Sequence, residues 1–171
     1  MEIIHIMGKT LSVVLNVAVT IHSPNCDCTE CLYKEWDTEL RNYVSEVCDE
    51  KGIEEELVLG IIYNESRFQE DAVGSNTNGT YDYGLMQLNT VTYDFLHNSI
   101  GISSMDELLD PYTNIDAGTE LLVYYYENSN SWEEALSKYQ TGSGAYYAGY
   151  VHPSYDNVLG YREEYRDIIS D

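Results

Sequence analysis

The sequence predicts a mainly α domain with one small β element set among its helices. Apolar residues recur at three- and four-residue spacing through much of the chain. One stretch, 69–83, breaks that spacing by crowding Gly74, Ser75, Asn76, Asn78 and Gly79 together. Hydrophobic residues make up 43% of the 171, enough for a core and against disorder. The length suits one ordinary domain with a short N-terminal appendage, and we place the appendage at 1–34 and the domain at 35–171.

Within the appendage, Leu11 to Ile21 is mostly apolar and follows Lys9, with the length of a signal-peptide core. Glu2, Asn16 and Thr20 interrupt that pattern, and its β-branched residues equally suit a strand. An export signal or anchor and a plain strand both stand. Cys26, Cys28 and Cys31 cluster, with Cys48 downstream; disulfides, reduced thiols and a metal site are all open, although Cys-x-Cys is tight for a zinc knuckle. No cofactor is expected, nor a metal in the catalytic site.

The first helix of the domain carries Trp36, Leu40, Tyr43, Val44 and Val47 on one stripe and stops at Gly52. A second starts in the acidic run Glu54 to Glu56, favourable at a helix N-terminus, and continues to about Ser66. Asn78-Gly79 followed by Thr80-Tyr81 marks a short β-hairpin or irregular loop over 69–83. Helices are expected near Gly84–His97, Asn114–Asn128, Ser131–Tyr139 and Tyr161–Ile169. Tyr139–Asn157, dense in Gly and Tyr, reads as a lining loop with at most a short helical turn.

Charge excludes some functions. Thirty acidic against eight basic residues leave a formal net of −22, a field that repels phosphate backbones and anionic lipid. Nucleic-acid binding is excluded on that ground, and a monomer is expected.

Glu65 is the candidate acid. It lies near the C-terminal end of an apolar helix, where the helix dipole and apolar neighbours both disfavour a carboxylate. Both raise its pKa and keep a proton available near neutrality, as a general acid requires. An acid near a helix end is ordinarily solvated surface; the surrounding motifs argue otherwise.

Glu65-Ser66-Arg67-Phe68 is followed by Ala72 and Ser75, then by Tyr83-Gly84-Leu85-Met86-Gln87-Leu88-Asn89 and Thr92. Further on stand Asp110-Pro111, Asn114-Ile115-Asp116-Ala117-Gly118 and Ala135-Leu136-Ser137-Lys138-Tyr139-Gln140-Thr141-Gly142. In order and spacing these four motifs, over roughly residues 50 to 145, resemble those of the soluble lytic transglycosylases. Glu70 replaces a common Pro, either Gly74 or Ser75 fills the usual serine position, and Gln140 replaces a common Asn.

The resemblance implies an α+β lysozyme-like fold, with the hairpin or loop beside an active-site cleft. It implies that Glu65 protonates the oxygen between N-acetylmuramic acid and N-acetylglucosamine. The same carboxylate then accepts the proton of the sugar's C6 hydroxyl, which closes a 1,6-anhydro ring. Tyr139 would orient Glu65 through its hydroxyl. Gln87, Ser66, Ser75, Met86, Asp82, Tyr83, Asn114, Gln140 and Tyr146 are the candidate substrate-binding residues. For several a structural role competes: Gln87 as a tie between hairpin and core, Ser66 as a brace, Met86 as packing. Asp82 is the residue that would turn the reaction toward hydrolysis, as in a muramidase.

A non-catalytic wall-binding or assembly factor is the reading from a different class. The expected partner is the peptidoglycan glycan strand, in the service of wall remodelling or of a secretion, conjugation or phage apparatus. The expected location is extracytoplasmic, or phage-encoded and delivered to the wall.

Overall fold

The computed structural model describes residues 28–142 and 155–170. The expectations for residues 1–22, for Cys26 and for Tyr146, with most of the Tyr139–Asn157 loop, lie outside them.

Seven α-helices and a three-stranded sheet make up the described chain. Helix α1 (Thr29–Glu35) leads into α2 (Thr38–Lys51) and α3 (Glu55–Ser66). Strands β1 (Val73–Ser75), β2 (Tyr81–Tyr83) and β3 (Leu88–Asn89) follow, then α4 (Tyr93–Ile100), α5 (Pro111–Glu127), α6 (Trp132–Thr141) and α7 (Tyr155–Ser170). Single 3₁₀ turns occupy Thr90–Thr92 and Met105–Leu109. The mainly α expectation and the small β element are both met.

Local chemistry sets the boundaries. Asp37 caps α2 by accepting from the Glu39 and Leu40 amides, and Gly52 ends it in the left-handed region at φ 66. Asp110 caps α5 through the Thr113 amide, and Pro111 fills its first position, where the missing N–H costs nothing. That helix therefore begins three residues before Asn114, and α7 begins before the expected Tyr161.

Helix α3 is the axis of the main core. Leu57, Val58, Leu59, Ile61 and Ile62 are all buried, as befits a helix covered on every side. Along it lies α7, so close at Gly60 that an added Cβ would sit 3.0 Å from the Val158 carbonyl oxygen. Helix α1 joins this core: Tyr33 meets Tyr165 edge-on at 5.6 Å and packs near Phe68. A second core cluster, Leu88, Leu96, Ile102, Leu108, Ala117 and Leu121, ties the sheet and α4 to the other flank of α5.

The helix expected over Gly84–His97 is corrected. The segment is instead a turn, β3, a 3₁₀ turn and only then α4. Gly84 at φ 71 and Gln87 at φ 46 take left-handed conformations that a right-handed helix excludes. The backbone partners a helix would use are also taken elsewhere. Asn114 accepts from the Met86 amide at 2.8 Å and donates to the Tyr83 carbonyl at 2.9 Å.

The sheet is antiparallel in the order β1-β2-β3, with Gly74 opposite Asp82 and Asp82 opposite Asn89. Because alternate residues share a face, this register carries Asp82, Asn89 and Gly74 together. Of the cysteines, Cys31 is disulfide-bonded and Cys48 is a buried thiol. Among the described residues no helix is long and apolar enough to cross a membrane.

Candidate active site

Glu65 is the penultimate residue of α3, and the chain leaves the helix through two left-handed residues, Arg67 at φ 51 and Phe68 at φ 63. This sharp exit turns the chain toward the sheet, leaving the end of α3 facing the sheet across a cleft. The cleft has a volume of about 500 Å³ and is walled by Glu65, the Asn76–Asp82 hairpin, Gln87–Asn89 and the Tyr139–Gly142 end of α6. None of its described lining residues is Lys, Arg or His.

Burial raises the Glu65 carboxyl from 4.5 to about 7, and the negative charge of Asp82 adds to the rise. Two side-chain amides work against this by hydrogen-bonding the carboxylate. Asn64 donates Nδ2 to Oε1 at 3.0 Å, and Gln140 bonds it from α6. Desolvation outweighs both, so the group keeps its proton to much higher pH than an ordinary carboxyl.

Asp82 stands in the same cleft, held by amides rather than by a cation. Asn89 Nδ2 donates to Oδ1 and Asn76 Nδ2 to Oδ2, each at 2.7 Å. Thr80 and Asn78 extend this network along the hairpin. The two carboxyls are thus unlike: Glu65 is desolvated, Asp82 hydrogen-bonded on both oxygens. Such a difference separates acid from base roles in a site.

Several expected residues are placed elsewhere. The Tyr139 hydroxyl does not reach Glu65 as an orienting donor; it donates to the Met86 carbonyl at 2.9 Å. Tyr139 still lines the cleft, and burial together with the Glu65 charge holds its phenol far above its ordinary value, so it stays protonated. Met86 is fully buried, and an added Cβ on Gly118 would sit 2.3 Å from its sulfur; it is core, not cleft wall. Ser66 is buried and donates to the Ile62 carbonyl at 3.1 Å, bracing the helix end away from substrate.

Asn114 is a structural hub. Its Nδ2 donates to the Tyr83 and Leu108 carbonyls at 2.9 and 2.8 Å, its Oδ1 accepts from the Met86 amide, and the residue is wholly buried, out of a sugar's reach. Tyr83 packs against the second core cluster rather than lining the cleft. Gln87 does line it, but its Nε2 is spent on the Ala72 and Gly84 carbonyls at 3.2 and 2.8 Å. Ser75 is exposed on the other face of β1, and Gly74 faces the cleft side, where an added Cβ would meet Gln87 Oε1 at 2.9 Å. A side chain at this position would have to displace the Gln87 amide.

Asn64, Asn76, Thr80, Asn89 and Tyr125 are site residues that the sequence reading missed. Alternation along the hairpin was the available signal for Asn76, Thr80 and Asn89, since all share a face with Asp82. For Asn64 the signal was adjacency to the acid. Among the described residues no group of three His, Cys, Asp or Glu could hold a metal.

A family model for the transglycosylase SLT domain matches residues 42–148. The invasion protein IagB of Salmonella typhimurium is 35% identical over 96 residues, which cover 53% of this chain and 56% of that protein. A peptidoglycan-binding-like protein of Escherichia coli O157:H7 is 32% identical over 96 residues, 53% of this chain and 58% of its own. The chain thus spans little more than half the length of these curated relatives. Among solved structures, the 70 kDa soluble lytic transglycosylase of Escherichia coli superposes with a TM-score of 0.66 at 25% identity, covering 82% of this chain and 26% of that one. The Pseudomonas aeruginosa lytic transglycosylase Slt gives 0.54 at 22% identity, over 76% and 22% of the two chains, a likeness of fold. The lysozyme-like architecture expected from the motifs is the observed one.

Proposed function

This chain belongs to the transglycosylase SLT domain family, and from that premise we propose that it cleaves the glycan strands of peptidoglycan with Glu65 as its single acid and base. The observation that carries this reading is the Glu65 carboxyl, desolvated to a pKa of about 7 inside a saccharide-sized cleft. Protonated, it delivers its proton to the oxygen joining N-acetylmuramic acid to N-acetylglucosamine as the C1–O bond breaks. Ionised, it takes the proton of the C6 hydroxyl as O6 bonds C1, giving a 1,6-anhydro end. Asn64 and Gln140 favour the ionised state after the first transfer, and burial favours the protonated state before it. The carboxyl therefore sits between its two roles. Tyr139 acts here as a positioning residue, fixing α6 to the Met86 turn.

A second reading rests on Asp82. A hydrogen-bonded carboxylate in the same cleft suits stabilisation of an oxocarbenium-like transition state or activation of water, which gives hydrolysis. Mass spectrometry of muropeptides decides between them: anhydro-muramyl ends mark transglycosylation, reducing ends mark hydrolysis. Glu65→Gln should abolish release of either product while remaining folded. If the variant keeps the wild-type biological activity, the chain is a binding or assembly factor instead.

The likeness to the invasion protein IagB favours a role for the cut in invasion. A disulfide at Cys31 fits an oxidising, extracytoplasmic location.

A further inference from the structure

Peptidoglycan strands are polymers, and a cleft of about 500 Å³ has the size of a site for one small ligand. A bound strand must therefore run out of the cleft onto the surface. Three aromatic rings form a path there. Tyr125 of α5 lines the cleft, and its ring centroid lies 5.7 Å from that of Tyr124. The Tyr124 ring lies 4.7 Å from Phe95 on α4, one turn beyond Thr92, itself a cleft residue.

Tyr124 is the informative member. Its ring rests against Phe95, itself packed on the second core cluster, yet it is 44% exposed, so much of it is open to a ligand. Flat apolar faces with a polar tip suit the C–H faces and hydroxyls of pyranose rings. The strip is continuous with the cleft through Tyr125, which identifies its occupant as more of the same chain.

Building on the glycan-cleaving reading, we propose that Phe95 and Tyr124 form an outer saccharide subsite that holds the strand where it leaves the cleft. It contributes to binding of long strands and nothing to the chemical step. Short substrates contained in the cleft do not reach it.

The test compares long, peptidoglycan-derived glycan strands with the MurNAc-GlcNAc disaccharide, which fits the cleft, using wild type, Tyr124→Ala and Tyr124→Phe. Since Tyr124 is exposed and outside the core, its truncation leaves the fold intact. Tyr124→Ala should raise KM for long strands about three- to tenfold, with kcat unchanged and disaccharide kinetics unaltered. Tyr124→Phe, which keeps the ring, should restore most of the affinity. An unchanged KM for long strands, or an equal loss on the disaccharide, overturns the subsite. Wild-type protein that neither cuts nor co-sediments with long strands refutes glycan cleavage itself, and the subsite with it.

Discussion

If Glu65 is held protonated by burial, the fold should be destabilised whenever that carboxyl ionises, and Glu65→Gln should relieve it. The perturbation is a change of one atom type at fixed shape. A carboxyl displaced from 4.5 to about 7, at about 1.4 kcal/mol per pH unit, amounts to about 3 kcal/mol. The folded state binds the proton more tightly than the unfolded chain, so this stability is fully present below pH 4.5 and is lost as pH rises through about 7. At pH 4 the variant and wild type should therefore differ only by the amide's own fit. At pH 8 the variant should gain up to about 3 kcal/mol on top of that. The other acidic residues are common to both proteins, so their own contribution cancels in the difference, the Asp82 charge being already counted in the Glu65 shift. Urea unfolding at the two pH values measures it, as a relative midpoint change of about 1 M or more at an m-value near 2 kcal/mol/M. A double difference below about 0.5 kcal/mol would refute the argument that burial dominates the Glu65 environment.

The same carboxyl should govern rate: kcat/KM on glycan strands falls as pH rises through about 7, because the free enzyme then lacks its acid. Asp82→Asn removes a charge that helps hold that proton, so the alkaline limb of the pH profile should move to lower pH; an unmoved limb means Asp82 does not act on Glu65. Asn114→Ala leaves the Tyr83 and Leu108 carbonyls and the Met86 amide unpaired in the interior, and should cost about 3 kcal/mol or more in denaturant unfolding. Tyr139→Phe deletes the bond to the Met86 carbonyl and should cost about 1 kcal/mol of stability, with kcat reduced but not abolished; complete inactivation would return the hydroxyl to direct chemistry.

Much of this was legible in the sequence because it depends on local chemistry. The stripe through Leu40, Val44 and Val47, the stop at Gly52 and the acidic start of α3 each follow from rules that act within a few residues. The buried carboxyl proposed as the acid was legible for the same reason: apolar helix, negative dipole end, family motif. What sequence reading misassigned depends on partners far along the chain. Asn114 and Met86 are 28 residues apart, and only their contact reveals that one is a hub and the other core. The Gly84–His97 segment failed likewise. Its apolar residues have helical spacing, but its backbone groups are claimed by Asn114 and its φ angles by Gly84 and Gln87.

Those misassignments share a cause that bears on how the site works. Motif residues read as substrate contacts face the protein instead: Ser66, Asn114 and to a large extent Gln87 spend their polar atoms on its own backbone, and Met86 is core. Each of those bonds fixes one wall of the cleft relative to α3, α5 or α6: Gln87 fixes the hairpin, Asn114 the Met86 turn, and Tyr139 the end of α6. A carboxyl desolvated at the cost inferred above keeps its pKa only if the walls that exclude water stay put. Stability spent at Glu65 must then be recovered in the surrounding hydrogen bonds, which is why a motif can be catalytic in consequence while only one of its side chains carries the proton.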